Sequence, residues 1–103
     1  MSLLVEFSLY PTDKGESVGQ YVSRVVEIIH QSGLPYKLGP MGTTVEGDAD
    51  KVFEVIRQCL HDLQRDSHRL AGRIDLDWRA QREHGLQQKV ESVCHHLGHP
   101  VCT

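Results

Sequence analysis

Two segments of the chain alternate apolar and polar residues, the first near its start and the second late. Side chains of a strand point alternately to its two faces, so residues 3–10 and 70–78 predict half-buried β-strands. The inward sets are Val5, Phe7 and Leu9 in the first and Leu70, Ile74, Leu76 and Trp78 in the last. Pro11 is expected to end the first strand.

Three other segments space their apolar residues three or four apart, which predicts amphipathic helices. They cover about residues 17–32, 49–66 and 86–97. Ser17 and Gln20 form an S-x-x-Q capping box, which predicts the start of the first helix. Asp48 is placed to cap the second helix, and Gly33 and Gly98 are placed to end the first and the third.

Two short strands are predicted between the first two helices. Residues 36–38 and 43–46 flank Gly39-Pro40-Met41-Gly42, whose residue types favour a turn. The order β-α-β-β-α-β-α predicts an α+β fold, the ferredoxin-like split βαβ sandwich. It has a four-stranded antiparallel sheet with two helices on one face, plus a C-terminal helix. The length predicts that residues 1–103 form one domain.

Composition excludes several classes of protein. Eleven basic and 14 acidic residues give a net charge of −3, which argues against binding driven by nucleic-acid phosphates. No apolar stretch reaches the roughly 18 residues of a membrane span, and the start lacks a signal-peptide pattern. Three cysteines, Cys59, Cys94 and Cys102, do not form a disulfide framework. We therefore expect a cytoplasmic protein with reduced thiols, partnered with neither nucleic acid nor membrane.

The face of the sheet away from the helices, here called the open face, has a mixed character. Alternation places on it Leu4, Glu6, Ser8, Tyr10, Thr44, Glu46, Arg73, Asp75 and Asp77. Glu6 and Glu46 would lie on adjacent central strands. Two carboxylates so placed repel each other, so we expect a cation or a hydrogen-bond donor beside them. Arg73, a ligand amine or ring nitrogen, or another subunit could supply it. An ordinary polar face with surface salt bridges is the alternative.

Several motifs of the chain are similar to those of a known family. The main ones run Pro11…Gly15-x-Ser17-Val18-x-x-Tyr21-Val22 and Ser32-Gly33-Leu34-x-Tyr36-x-Leu38-x-Pro40-Met41-Gly42-Thr43-x-Val45-Glu46-Gly47. Arg73-Ile74-Asp75…Arg79 and Lys89-Val90-Glu91-Ser92-Val93 add to them. On these residues the chain resembles the small ferredoxin-like thiamine-binding proteins, the YkoF-like group, over nearly its whole length. The Pro-Met-Gly-Thr stretch ending in Glu-Gly is the most specific part.

The resemblance implies a non-enzymatic protein that binds thiamine or its hydroxymethylpyrimidine portion. It also implies assembly through the sheets into a homotetramer built from dimers, with the pocket at the sheet face or subunit interface. No catalytic residue, cofactor or metal is expected. Together with Glu6 from the open face, the ligand residues that match the family's segments are Ser8, Tyr10, Pro11, Met41, Gly42, Thr43, Thr44 and Glu46.

The chemistry of these residue types suits an aminopyrimidine. Its ring nitrogen and amine need a carboxylate opposite them and a hydroxyl or carbonyl beside that carboxylate. The ring itself needs an apolar or thioether surface on which to stack. Candidates for the three contacts are, in order, Glu46 or Glu6, Thr43 or Thr44, and Met41 with Tyr10. A thiazolium cation would favour acidic surroundings.

Other functions are open on the sequence alone. The chain could be a regulatory or assembly module whose open face only oligomerises. It could also bind a small anion through Lys14, or a metal through the histidine-rich tail between Cys94 and Cys102. Acylphosphatases share the predicted fold, but the loop of residues 12–16 lacks the arginine that they need. RNA-recognition domains share it too, but the central strands lack paired aromatics that stack bases.

Overall fold

The structure is a computed structural model that describes residues 2–81 and 84–103. Its elements confirm the predicted order. They are β1 (Ser2–Pro11), α1 (Gly19–Gln31), β2 (Tyr36–Leu38), β3 (Thr43–Gly47), α2 (Ala49–Gln64), β4 (Leu70–Arg79) and α3 (Gly85–Leu97). Gly33 and Gly98 follow α1 and α3, each with a positive φ, as predicted. No helix of the described part is long and apolar enough to cross a membrane.

The strands form one antiparallel sheet in the order β2-β3-β1-β4. This is the predicted ferredoxin-like arrangement, in which two βαβ units interleave so that β1 and β3 are central. Val5 pairs with Val45 of β3 on one side and with Leu76 of β4 on the other. Leu4 likewise lies between Glu46 and Asp77, so these two carboxylates point to the open face, whereas Thr43, the partner of Phe7, points to the helix side.

The core lies between β1, β3 and the two helices that cover them. Its sheet residues include Val5, Phe7 and Val45, of which Val5 and Val45 are fully buried. The helices contribute Tyr21, Val25, Ile29, Val52, Val55, Cys59 and Leu63. Arg24 joins α1 to α2 outside this core, because its guanidinium donates to Asp62 at 2.8 Å and to Asp66 at 2.9 Å. Those bonds, with Asp66 first, raise the pKa of Arg24.

The capping box expected of Ser17 and Gln20 is wrong. Val18 is the N-cap residue of α1, and no side chain makes a capping hydrogen bond there. The backbone carbonyl of Val18 accepts from the amides of Tyr21 and Val22, both at 3.0 Å. Its side chain packs against the core, so burial of an apolar residue fixes the helix start where a polar cap was expected. Asp48 does occupy the N-cap of α2, but through its backbone only.

Of the four apolar residues of β4 expected to face inward, Leu70 packs against the core and the other three do not. Ile74, Leu76 and Trp78 lie on the helix side of the sheet, yet they are 49%, 58% and 50% exposed. The physical reason is position: β4 is at the edge of the sheet, whereas α1 and α2 pack over β1 and β3. The period-two pattern identifies the strand and its faces but not how far the helices reach.

The third helix lies on the open face. Leu86 and Val90 of α3 line a groove together with Leu4 and Thr44, which point away from α1 and α2. The sheet is therefore covered on both sides at this end. The face that the sequence left bare becomes a groove bounded by a helix.

Burial gives a direct test of the core. Cys59 is buried and its pKa is raised to about 12 by desolvation, so at pH 8 it should remain a thiol shielded from reagents. We expect the exposed Cys102 and half-buried Cys94 to react with a chromogenic disulfide reagent while Cys59 reacts only after unfolding. A Cys102→Ser variant should lose the fastest phase and leave the slowest unchanged. Equal rates at all three cysteines would contradict the packing described.

Candidate functional site

Glu46 is the buried carboxylate of the open face. It is 5% exposed at the end of β3, opposite Leu4 of β1. Its Oε2 accepts from the Ser2 hydroxyl at 2.9 Å and from the Gly85 amide at 2.6 Å, while its Oε1 accepts from the Leu86 amide at 3.2 Å. A charge that is removed from water needs such donors, so these contacts explain how it is tolerated there.

The two amides belong to the first turn of α3. The first amides of a helix have no partner within the helix, and the positive end of the helix dipole favours a carboxylate. His84 precedes the helix in the left-handed conformation, with φ +58, and its carbonyl accepts from the amides of Gln87 and Gln88. Glu46 therefore supplies from another element the cap that the sequence around α3 lacks, and it fixes the helix to the sheet.

The space between α3 and the open face is here called the α3 groove. It is a cavity of about 390 Å³. Its lining residues are Leu4, Glu6, Lys37, Thr44, Asp75, Leu76, Asp77, Gly85, Leu86, Lys89 and Val90. A second contact holds the helix over it, since the Lys89 ammonium lies 2.5 Å from a carboxylate oxygen of Asp77. The groove thus joins apolar and charged groups from five elements, the four strands and α3.

Arg73 crosses the open face beside this groove. Its guanidinium donates to Oε1 of Glu6 at 2.9 Å, to the carbonyl of Met41 at 3.2 Å, and to Asp75. The bond to Glu6 is the main cause that raises the pKa of Arg73. Arg73 is the first of the partners that the sequence suggested for the paired carboxylates. Of the two glutamates it bonds to Glu6, whereas the described donors to Glu46 are Ser2 and the first amides of α3.

A second, smaller cavity of about 230 Å³ lies between the end of β1, α1 and the turn that joins β2 to β3. We call it the turn cavity. Its lining includes Ser8, Tyr10, Met41, Gly42 and Thr43, with apolar residues of β1 and α1. A Cβ on Gly42 would lie 3.0 Å from the carbonyl oxygen of Phe7, so any other residue there would need the turn and β1 to separate by a few tenths of an ångström. Met41 is 76% exposed at its mouth.

The nine expected ligand residues therefore fall into four places. Glu6 and Thr44 line the α3 groove, and five others line the turn cavity. Glu46 and Pro11 are buried outside both linings, under α3 and at the end of β1. Arg73 connects the two cavities through Glu6 and the Met41 carbonyl.

Sequence reasoning missed the contribution of α3. The sequence pattern places Leu86 and Val90 on the apolar face of a helix and Lys89 and Val90 in a family motif, but it predicts none of them, nor Lys37, as part of the site. The sequence did contain a signal, the apolar face of α3, because a helix with such a face must bury it against another element. In a split βαβ sandwich α1 and α2 cover one face of the sheet, so the open face is where α3 can pack.

The remaining candidates do not form comparable sites in the described residues. Asp13, beside Lys14, accepts from the His68 amide at 2.7 Å, which lowers the pKa of Asp13. No group of three or more metal-ligating side chains gathers among residues 2–81 and 84–103. A larger depression of about 640 Å³ between α1 and α2 includes the carboxylates of Glu27 and Glu54. These are engaged by neighbours on their own helices, Gln31 and Arg57.

The fold and the groove define a class: small ferredoxin-like proteins in which a C-terminal helix crosses the open face of the sheet. The model of the thiamine-binding protein family matches residues 5–94 of the chain. The chain belongs to this family, as its motifs indicated. The match extends from β1 into α3, so it spans both walls of the α3 groove.

Relatives and solved structures agree with this assignment. The chain is 34% identical to the UPF0045 protein Mb1933 of Mycobacterium bovis over 97% of its length and 99% of that protein. A solved hypothetical protein of Methanocaldococcus jannaschii has a TM-score of 0.83 at 26% identity, covering 89% of this chain and 95% of that one. A Thermotoga maritima structure described as a candidate thiamine biosynthesis/salvage protein has a TM-score of 0.80 at 22% identity, covering 90% and 99%. At that identity the Thermotoga structure shows the shared fold alone.

The contacts of Glu46 predict what its loss does. In Glu46→Gln the charge is removed and the amides of Gly85 and Leu86 lose part of their acceptor, so α3 should loosen from the sheet. We expect the free energy of unfolding to fall by about 1.5–3 kcal/mol, the range for hydrogen bonds to a charged group. Faster hydrogen exchange at Leu86 and Val90 should accompany it.

Glu91→Gln provides the matched control, since Glu91 is an exposed residue of the same helix. It should change neither the unfolding free energy nor the exchange rates. Unaltered exchange in α3 of the Glu46→Gln variant would show that the carboxylate does not hold the helix.

Proposed function

We propose that this protein binds thiamine or its hydroxymethylpyrimidine portion in the α3 groove, without catalysing a reaction. Membership of the thiamine-binding family supports a thiamine-related role. The observation that carries the proposal is Glu6, a carboxylate with 45% of its side chain exposed on the floor of a groove that also presents the apolar side chains of Leu4, Leu86 and Val90. The salvage role described for the Thermotoga neighbour agrees with it.

Glu6 suits the aminopyrimidine ring better than Glu46. Oε1 of Glu6 accepts from Arg73, and none of the described residues donates a hydrogen bond to its Oε2. A protonated ring nitrogen and the adjacent amine could therefore bond to this carboxylate in a charge-assisted pair. Glu46 already accepts hydrogen bonds from Ser2, Gly85 and Leu86 of the described chain, so its role in binding would be to hold the helix that forms the wall.

The rest of the groove supplies the other contacts. Thr44, beside Glu6 across the central strands, offers a hydroxyl, and Leu4, Leu86 and Val90 offer apolar surface to the ring. The carboxylates of Asp75 and Asp77 lie on the β4 side, where they favour a thiazolium cation. A few placed polar groups in an apolar cleft are typical of small-molecule sites.

The other expected residues keep their place in the proposal as a neighbouring subsite. Ser8, Tyr10, Met41, Gly42 and Thr43 line the turn cavity, which Arg73 connects to the groove. A ligand that extends past Glu6 would reach them. We further propose that copies of the chain associate through their sheets, and that no cofactor takes part.

Calorimetric titration with thiamine and with hydroxymethylpyrimidine tests the ligand. We expect both to bind, because the pyrimidine ring is the part that Glu6 recognises. Glu6→Gln should weaken binding by roughly 1.5–3 kcal/mol, the value of a hydrogen bond to a charged group. That corresponds to an affinity loss of about 10- to 150-fold.

Glu16→Gln is the matched control, because Glu16 is an exposed carboxylate in the loop before α1. It should bind as the parent does. Binding that Glu6→Gln leaves unchanged would move the site away from the α3 groove. Absence of heat and of thermal stabilisation with both compounds would reject the ligand itself.

A further inference from the structure

The last helix leads into a segment rich in metal-ligand side chains that the proposed function does not use. Five of the nine residues from Cys94 to Cys102, here called the histidine-rich tail, are histidine or cysteine. The sequence left this tail open as a metal site, whereas the family resemblance implies none. α3 ends at Leu97, so the tail consists of the last turn of that helix and the exposed residues after it.

Gly98 turns the chain just after the helix. It has φ +80, and its amide donates to the Cys94 carbonyl at 2.9 Å, which is the left-handed turn that closes many helices. Glycine adopts this conformation without the steric cost that a side chain would add. The turn takes the chain off the helix axis, so the residues that follow can fold back towards His95 and His96.

Two imidazole rings of the tail are oriented by backbone carbonyls. Nδ1 of His96 lies 2.7 Å from the carbonyl oxygen of Ser92, and Nδ1 of His99 lies 2.8 Å from that of Pro100. A carbonyl oxygen only accepts, so Nδ1 carries the proton of each neutral ring and Nε2 keeps an unshared electron pair. Metal-binding histidines are held by the same kind of bond. Both rings therefore already present Nε2 as a ligand.

His95 is close enough to His96 to share an ion with it. The centroids of the two rings are 6.0 Å apart. Two imidazoles on one zinc ion, with Zn–N bonds of about 2.1 Å, have ring centroids roughly 5–6 Å apart. A small change in the side-chain angles of His95 is therefore enough for it to bind an ion beside His96.

Cys102 is the thiol that can complete this set of ligands. Two residues separate it from His99, a spacing found between paired ligands of zinc sites. Cys102 is exposed, whereas Cys94 is half-buried. Cys94 also precedes His96 by two positions, which is about 200° around the helix, so the two side chains point in nearly opposite directions.

We propose that the histidine-rich tail binds one transition-metal cation of the Zn²⁺ class through His95, His96, His99 and Cys102. Three imidazole nitrogens and one thiolate form a four-coordinate set that favours zinc over the hard cations Mg²⁺ and Ca²⁺. Each imidazole binds through a nitrogen that carries no proton. The Cys102 thiol releases its proton to the solvent as the Zn–S bond forms, so no oxidant or reductant is needed.

The four side chains come together as the ion binds. No group of three or more ligand-type side chains meets at one point in residues 2–81 and 84–103. Among these residues, the hydrogen bond that His99 makes is to Pro100, within the tail itself. Closing the tail over the end of α3 therefore breaks no described hydrogen bond to the rest of the fold. Metal binding that orders a segment in this way is common in small sites.

This site is separate from the α3 groove. α3 has 13 residues, so its end lies roughly 18 Å from the Gly85 amide that Glu46 binds. The inference goes beyond the proposed function and does not rest on it. A failure of thiamine to bind would leave it intact.

Calorimetric titration of the reduced full chain with Zn²⁺ tests the site, and we expect one ion per chain. His96→Gln, His99→Gln and Cys102→Ser should each lower the affinity at least about 10-fold, because even an outer-shell partner is worth that much in metal sites. Two matched controls should bind as the parent does. They are Cys94→Ser, from the same tail, and His61→Gln, an exposed histidine of α2.

Two further measurements test the thiolate ligand. Co²⁺ in place of Zn²⁺ should give a thiolate-to-metal charge-transfer band that Cys102→Ser lacks and Cys94→Ser keeps. Bound Zn²⁺ should also protect Cys102 from the chromogenic disulfide reagent, because its thiolate is engaged by the ion, and should leave the reaction of Cys94 unchanged.

Four results would overturn the proposal. One is a parent chain that takes up neither Zn²⁺ nor Co²⁺. A second is a Zn²⁺ affinity that His96→Gln, His99→Gln and Cys102→Ser all leave unchanged, which would place the ion elsewhere. A third is loss of binding in Cys94→Ser but not in Cys102→Ser. The last is half an ion per chain, which would mean an ion shared by two copies instead of a site within one tail.

Discussion

The open face of this sheet depends on one buried carboxylate. Glu46 accepts the first amides of α3 and the Ser2 hydroxyl, so it ties β3, β1 and the last helix together. A carboxylate at this depth is unfavourable unless donors surround it, and a helix start carries unsatisfied donors. The Glu46 carboxylate accepts the hydrogen bonds of the unpaired amides at the start of α3, and those amides stabilise its buried charge. Because α3 is held this way, the face carries a groove rather than a flat polar surface.

Glu46 and Glu6 have different roles because their surroundings differ. Glu46 lies at the end of β3 under α3, whereas Glu6 lies further along the face, where Arg73 is its hydrogen-bond partner among the described residues. The first carboxylate therefore builds the wall and the second faces the cavity. This explains how a chain with a net charge of only −3 can present an acidic group to a small cationic or amino-bearing ligand. The position of the charge therefore matters more than its total, and the family membership supports a thiamine-related role.

The sequence predicted the fold well because its signals are local. Alternation in residues 3–10 and 70–78 identifies strands, and helical spacing identifies all three helices. What it could not predict depends on distant contacts. The reach of α1 and α2 over the sheet decides that Ile74, Leu76 and Trp78 stay exposed, and no local pattern encodes that reach. The docking of α3 likewise joins Glu46 to Gly85, which are 39 positions apart in the chain. The Ser17 cap failed because burial of Val18 outweighed a polar motif.

The central claim is that the cavity between α3 and the sheet holds the ligand. Amide chemical-shift mapping with thiamine tests it most directly, because it locates the site without altering a residue. The account predicts that the largest shifts fall on Leu4, Glu6 and Thr44 together with Leu86 and Val90. Shifts confined to residues 39–43 at the turn, or to the cavity between α1 and α2, would contradict it.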